Sequence, residues 1–309
     1  MKHAPNRDFY ARMQTFWTGV TLLLSLFGCK DAQLPKSEVK IIEKNGYRYI
    51  TSNAIPDHET GVFPNEHDPV AIKAQKLEFR MPLTPKELDQ PMNSNGYEFG
   101  VALNGIQFDP NGPFYIHGEE TRAIRNPFDG IESGWQYEGL SENVNLGHDH
   151  NNAHVQPPGI YHYHGVPTLL IKKLQKEQSS DMILLGYAAD GFPIYNSKVP
   201  SNANDLSSPL ITVKSSYRLK TGKRPENPSN LPKAPTGNYD GTFVQDYEYV
   251  DSLSELDKCN GRFGATKEYP KGTYYYVITE NWPYIPRYFK GSPDDSFRFL
   301  PSEIISKMK

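Results

Sequence analysis

Short stretches of alternating apolar and polar residues dominate the chain, and they predict strands more often than helices. Residues 39–43 and 47–51 flank the turn Lys44-Asn45-Gly46, which predicts a β-hairpin. Residues 76–81 alternate in the same way and predict another strand. The continuous apolar run at 182–187 is typical of a strand buried on both faces.

Helical patterns are few and short. The segment that begins at Pro167 has leucines at helical spacing and predicts the best helix in the chain. A second short helix is predicted at residues 84–87, where a capping box surrounds a proline at the first helical position, and it must end before Pro91. Residues 302–308 predict a terminal helix.

The composition supports a β-rich fold with long loops. The chain has 20 tyrosines, 26 prolines and 24 glycines, which suit half-buried strands and turns. We therefore predict a mainly β, β-rich α+β fold: a single domain of antiparallel sheets at 39–309, sandwich-like, with an excursion at 196–238 that contains a strand at 211–219. The pattern Gly-x-Tyr-x-Tyr at 159–163 recurs at 272–276, which is compatible with related hairpins but too short to establish a repeat.

The N-terminus has the features of an export signal. Three basic residues precede an apolar core at 16–27, which is too short to span a bilayer. The core ends in Leu26-Phe27-Gly28-Cys29, which resembles a bacterial lipobox and implies removal of residues 1–28 and a lipid on Cys29. An ordinary secretory signal or an uncleaved anchor is the alternative.

The lipobox resemblance sets the expected location. Residues 29–38 would be a polar tether between the lipid and the domain, and the membrane would be a partner through Cys29. Lys30 follows the cysteine, which favours the outer membrane of the bacterial envelope, with the domain periplasmic or at the cell surface. The net charge is −3, and no basic run is longer than two residues, as at Lys172-Lys173, so we expect no nucleic-acid partner.

Five of the nine histidines fall between His148 and His164, and they are the clearest chemical feature of the chain. Imidazole is the commonest transition-metal ligand. Alternation along a strand would place His162 and His164 on one face. His154 lies four residues after His150, and the chain can return from it to this strand through a short turn. We expect a zinc or copper site made from a set of histidines, of which the last three are the strongest candidates: His148, His150, His154, His162 and His164.

Other residues are weaker candidates for this site. His58 lies in a proline-rich loop and is either a further ligand or an exposed loop residue. Asp190 follows the apolar strand and is either a catalytic base, an orienting carboxylate or a turn residue. With Cys29 lipidated, Cys259 has no disulfide partner, and a buried inert thiol is favoured over a soft metal ligand.

The histidine segment also carries a family resemblance. Residues 151–165, with Tyr161-His-Tyr-His164 at their end, resemble the signature of YHYH-domain proteins, which are secreted bacterial and eukaryotic proteins. Further matching segments extend the resemblance from about residue 50 to 291, and they are 52–58, 105–110, 186–195 and 256–262. The resemblance implies export and assigns no reaction.

The sequence thus predicts a lipid-anchored envelope protein that binds a transition metal ion, zinc or copper, around Tyr161–His164. One alternative is a metal-dependent enzyme, a hydrolase or a copper redox protein, that uses the same site with Asp190 as its base. A second is a metal-independent carbohydrate or surface-binding module, in which Trp135, Trp282 and the tyrosines stack on a glycan or another small ligand.

Overall fold

The computed structural model describes residues 34–117, 130–225 and 234–299. The signal segment, Cys29, the first half of the tether and the predicted helix at 302–308 lie outside these residues. The described strands, in chain order, are β1 Val39–Lys44, β2 Tyr47–Ser52, β3 Leu77–Pro82, β4 Glu87–Asn93, β5 Gly100–Ala102, β6 Gln107–Phe108, β7 Ala153–Gln156, β8 Ile160–Tyr163, β9 Leu184–Ala188, β10 Pro193–Tyr195, β11 Lys198–Pro200, β12 Leu210–Thr212, β13 Tyr217–Leu219, β14 Tyr247–Tyr249, β15 Gly261–Gly264, β16 Thr273–Val277 and β17 Tyr288–Gly291.

One α-helix is found in the described part of the chain, α1 at Thr168–Gln178, with three short 3-10 helices at Ile131–Ser133, Val244–Asp246 and Asp295–Phe297. α1 buries Leu170 and Leu174, as the leucine spacing predicts. No helix within residues 34–117, 130–225 and 234–299 has the length and apolar character needed to cross a bilayer.

The fold is β-rich and consists of several sheets, as predicted. A three-stranded antiparallel sheet has the order β1-β2-β3, and it contains the predicted hairpin and the strand that follows. The main sheet has eight strands in the order β15-β16-β10-β9-β5-β6-β8-β7. It is mixed, because β6 pairs with β8 and β10 pairs with β16 in parallel. Three two-stranded sheets complete the fold.

Two local predictions were wrong. The capping box at 84–87 does not start a helix, because residues 87–93 form β4 and pair with β17. Pairing with a distant strand outweighs the weak local preference for helix there. The single strand expected at 211–219 is two strands, β12 and β13, which belong to different two-stranded sheets.

The main sheet is built from two halves with the same strand order. From the centre outward, one half reads β5-β6-β8-β7 and the other reads β9-β10-β16-β15. β5 and β9 join the halves as antiparallel neighbours. In each half the inner hairpin is followed by a strand in parallel pairing and then by an antiparallel edge strand. The echo of Gly-x-Tyr-x-Tyr in the sequence marks β8 and β16, which occupy equivalent places.

Side-chain contacts support the equivalence of the two halves. The Tyr161 hydroxyl donates to Asp149 at 2.7 Å, and the Tyr274 hydroxyl donates to Asp257 at 2.8 Å. In the inner hairpins, Gly100-Val-Ala-Leu-Asn-Gly105 matches Gly186-Tyr-Ala-Ala-Asp-Gly191. The last glycine of each has a positive φ, 78° and 93°, in the tight turn. We infer an internal structural repeat.

Candidate metal centre

β7, β8 and the residue that follows β8 bring three histidines together on one face of the main sheet. His154 on β7 lies directly opposite His162 on β8. The Nε2 atom of His164 is 2.9 Å from Nε2 of His162 and 3.1 Å from Nε2 of His154. His162 and His164 are almost completely buried, with 1% and 4% of their surfaces exposed. Three imidazole nitrogens therefore meet in the protein interior.

A fourth histidine enters from the loop before β7. The ring of His148 lies 4.6 Å from the ring of His154 and 5.0 Å from that of His164, between centroids. One ligand atom from each of these three histidines lies within 4.8 Å of the others. We call His148, His154, His162 and His164 the histidine cluster.

Backbone carbonyls set the tautomers of two members of the cluster. Nδ1 of His154 is 2.9 Å from the carbonyl oxygen of Leu146, and Nδ1 of His162 is 3.1 Å from that of Ile160. Because a carbonyl oxygen only accepts, each Nδ1 must carry the hydrogen and donate it. In the neutral rings the lone pair is then on Nε2, which is the atom that faces His164. Metal-bound histidines are commonly oriented in this way.

The cluster contains fewer protons than its short contacts require. His164 can place one hydrogen on Nε2, which cannot satisfy two neighbouring lone pairs equally well. Nδ1 of His164 and Nε2 of His148 are buried and have no hydrogen-bond partner among the described residues. Ligand nitrogens about 2.0–2.1 Å from one metal ion lie roughly 2.9–3.4 Å apart. The two Nε2 separations at His164, 2.9 and 3.1 Å, fall in this range. The cluster therefore fits a transition metal ion.

Burial favours the neutral form of three members of the cluster. Desolvation, with a smaller effect from His154, lowers the pKa of His148 to about 3. Desolvation also lowers the pKa of His162 to about 4 and holds that of His164 well below its ordinary value. Neutral imidazole is the form that binds a metal. A carboxylate oxygen of Asp68 lies 3.8 Å from Nδ1 of His154.

The cluster borders a cleft of about 600 Å³, a volume typical of small-molecule sites. The rings of His154, His162 and His164 line one part of it. Its remaining walls combine aromatic side chains with buried polar residues, among them Phe79, Phe114, Phe297, Phe299, Glu98, Gln107 and Asp109. A metal ion held by the cluster would thus be accessible from this cleft.

The structure does not bring the other predicted site residues into the cluster. His58 stacks on Tyr163, and its Nε2 accepts from the Tyr163 hydroxyl at 2.5 Å. Side chains alternate along β8, so Tyr163 faces away from His162. His150 is exposed, one residue before a buried asparagine. Cys259 is fully buried, and desolvation raises its pKa to about 12, which is typical of an inert thiol.

Asp190 has a structural environment in the second half of the sheet. Its carboxylate accepts from the Tyr276 hydroxyl at 2.5 Å and from the Gly291 amide at 2.8 Å. Burial raises its pKa to about 6. The equivalent residue in the first half is Asn104, whose amide donates to the Tyr163 hydroxyl at 3.0 Å. Asp190 is not among the residues that line the cleft.

The sequence reasoning did not identify several residues that support the cluster. A Cβ atom on Gly139 would lie 3.0 Å from Nδ1 of His164, so a glycine there leaves room for the ring. Leu146 and Asp68 orient His154, and Asp68 also accepts from the Val155 amide at 2.7 Å. These residues come from distant segments, so no local spacing points to them. Asp109, which lines the cleft, lies in the segment 105–110 that resembles the family, and this resemblance is the signal for it in the sequence.

The repeat separates structural residues from candidate ligands. Asp149, Tyr161 and Tyr163 have the equivalents Asp257, Tyr274 and Tyr276, with similar hydrogen bonds. The histidines have no such equivalents. The second half has Leu256 at the position of His148 and Arg262 at that of His154. It has Tyr275 at the position of His162 and Val277 at that of His164. The sheet can therefore be built without imidazoles at these places.

These features define a mixed β-sheet protein with a buried histidine cluster beside a cleft. The family model described as YHYH protein matches residues 78–291, and the chain belongs to this family. No curated protein and no solved structure matches the chain. The match includes both halves of the main sheet.

Proposed function

We propose that this YHYH protein is a lipid-anchored protein of the bacterial envelope that binds one zinc or copper ion. The ligands come from the histidine cluster: His154, His162 and His164, whose Nε2 atoms converge, and His148, whose ring lies beside those of His154 and His164. The convergence of Nε2 atoms at 2.9 and 3.1 Å carries the proposal. A set of neutral imidazoles suits zinc and copper, whereas magnesium and calcium prefer oxygen ligands.

The envelope location rests on the N-terminal sequence. A basic start, a short apolar core and the Leu-x-Gly-Cys ending support cleavage before Cys29 and attachment of a lipid there. Lys30 supports the outer membrane as the destination. We expect the wild-type protein to incorporate radioactive palmitate and a Cys29→Ala variant to incorporate none. Equal labelling of the two proteins would contradict the lipid anchor.

The metal proposal is tested by elemental analysis of full-length protein extracted in detergent and purified without a histidine tag. We expect about one zinc or copper ion per chain, since one cluster has one point of convergence. A His154→Ala/His164→Ala variant should lose the ion. His150→Ala is the matched control, because His150 is in the same segment but exposed. Equal metal content in the two variants would refute the site.

A metal-dependent enzyme is the second candidate, and the cleft favours it. A metal ion with a position open to a cleft can activate water or polarise a substrate. Asp190 does not line the cleft. If the protein is an enzyme, we therefore expect Asp190→Asn to retain turnover, while His164→Ala abolishes it. Loss of turnover in Asp190→Asn with unchanged stability and metal content would instead support the catalytic assignment of Asp190.

A further inference from the structure

The cleft has a second group of polar residues next to the histidine cluster. Gln107 on β6 lies beside His162, its parallel partner on β8. Asp109 follows β6, and its amide donates to the Tyr163 carbonyl at 2.9 Å. Glu98, just before β5, also lines the cleft. A molecule in contact with Gln107 would therefore be close to a metal ion held by the cluster.

Two oxygen atoms of this group lack partners. Oε2 of Glu98 and Oε1 of Gln107 are buried and have no hydrogen-bond partner within the described residues. The two side chains are 5% and 6% exposed. Buried polar atoms without a partner are rare in folded proteins and often mark a place for a ligand or water. Both residues line the cleft.

The internal repeat shows that the sheet does not need these polar groups. Strand register makes Pro193 the equivalent of Gln107, and Leu184 the equivalent of Glu98. Both equivalents are apolar. The first half of the sheet therefore combines histidines with polar residues that the second half lacks, and the two groups border one cleft.

We propose that Glu98, Gln107 and Asp109 form a binding subsite for a neutral, hydroxyl-rich small molecule of the monosaccharide class, next to the metal ion. Its hydroxyl groups would donate to the unpartnered oxygens of Glu98 and Gln107. This inference deepens the proposed function and rests on it, since it supplies the class of molecule that the metal ion would contact.

The charges and walls of the cleft favour this class. Asp68 and Asp109 disfavour an anion, while a bound divalent ion repels a cation. Burial, with a smaller effect from Asp109, raises the pKa of Glu98 and favours its neutral acid form. Phe79 and Phe297, whose ring centroids are 4.8 Å apart, give part of the cleft wall an apolar character that suits the carbon face of a sugar ring.

The basic residues of the cleft do not change this preference. Arg298 lines the cleft and pairs with Asp295 at 2.5 Å, so its charge is partly balanced. Lys76 is exposed to solvent. The deeper polar groups are carboxyl and amide groups, which commonly bind hydroxyl groups in pairs of donor and acceptor.

The test uses the full-length, zinc-loaded protein in detergent, with saturation-transfer NMR at millimolar glucose, galactose, mannose and N-acetylglucosamine. We expect at least one sugar to bind. A Gln107→Leu variant should bind it about tenfold more weakly, because one hydrogen bond is lost and the sugar hydroxyl is left unsatisfied. His67→Ala is the matched control, since His67 lines the cleft but is exposed, and it should bind as the wild type does.

A second measurement places the sugar without any variant. With Cu²⁺ in the histidine cluster in place of Zn²⁺, proton resonances of the exchanging sugar should broaden, because the paramagnetic ion lies beside the subsite. The subsite would be overturned if none of the four sugars binds. It would also be overturned if a sugar binds without broadening and Gln107→Leu leaves its binding unchanged. Metal content measured on the same samples tells this failure apart from failure of the metal site.

Discussion

The neutral histidine cluster predicts metal binding that resists acid. A histidine must be deprotonated to bind a metal, so protons compete with the ion as the pH falls. Competition begins only when the pH approaches the pKa of the free ligand. The pKa values of His148 and His162 are lowered to about 3 and about 4, and that of His164 is also well below its ordinary value. His148 and His162 therefore stay neutral at pH 5, and the burial of His164 acts in the same direction.

The expected effect is large enough to measure. At pH 5 an imidazole with an ordinary pKa of about 6.5 is mostly protonated, and the need to remove its proton weakens binding about 30-fold. Three such ligands would weaken binding by about 10⁴-fold. With pKa values of about 3 and about 4, His148 and His162 are at most about a tenth protonated at pH 5. Together they should weaken binding by less than about twofold.

Zinc affinity of the full-length protein, measured at pH 7 and pH 5 by competition with a chromophoric chelator, tests this reasoning. The chelator's own affinity is calibrated at each pH. We expect these buried histidines to retain zinc at pH 5, where a surface site made of exposed histidines would release it. A fall in affinity of more than about 10³-fold, without unfolding, would show that the cluster titrates as exposed histidines do.

Three further predictions test single residues outside the cluster. Gly139→Ala places a Cβ atom 3.0 Å from Nδ1 of His164 and should lower zinc affinity about tenfold in the same titration; unchanged affinity would show that the ring can move. Asp246→Asn disrupts the buried ion pair with Arg224, whose nitrogens lie 2.8 and 2.7 Å from the carboxylate. This substitution should lower the free energy of unfolding by about 3–5 kcal/mol and the thermal midpoint by about 10 °C. A change in the midpoint within error of zero would contradict the prediction. His58→Phe should leave metal content unchanged by elemental analysis, and loss of the ion would make His58 a ligand.

The sequence predicts those parts of the fold that local patterns determine. The hairpin of β1 and β2 and the helix α1 follow from a turn signal and from leucine spacing. The helix expected at 84–87 was wrong because its capping signals are local, whereas the pairing of β4 with β17 joins residues about two hundred positions apart. No single-sequence pattern carries that information.

The same limit applies to the site. Strand alternation places His162 and His164 on one face, and the structure has their Nε2 atoms 2.9 Å apart. His148 and His150 have the same spacing and lie in a loop, where no periodicity distinguishes the buried ring from the exposed one. Gln107 reaches the cleft through the parallel pairing of β6 with β8, which the sequence does not show.

The internal repeat explains why the motif Tyr161-His-Tyr-His164 alternates two kinds of residue. Its tyrosines recur as Tyr274 and Tyr276, which bond to the equivalent loop residues, although Tyr163 accepts from Asn104 where Tyr276 donates to Asp190. The tyrosines therefore belong to the construction of the sheet. Its histidines are replaced by Tyr275 and Val277, with no loss of strand pairing. A buried imidazole is costly unless its nitrogens are satisfied. Because only one half of the sheet carries that cost, the histidines are best explained by a ligand that only this half binds.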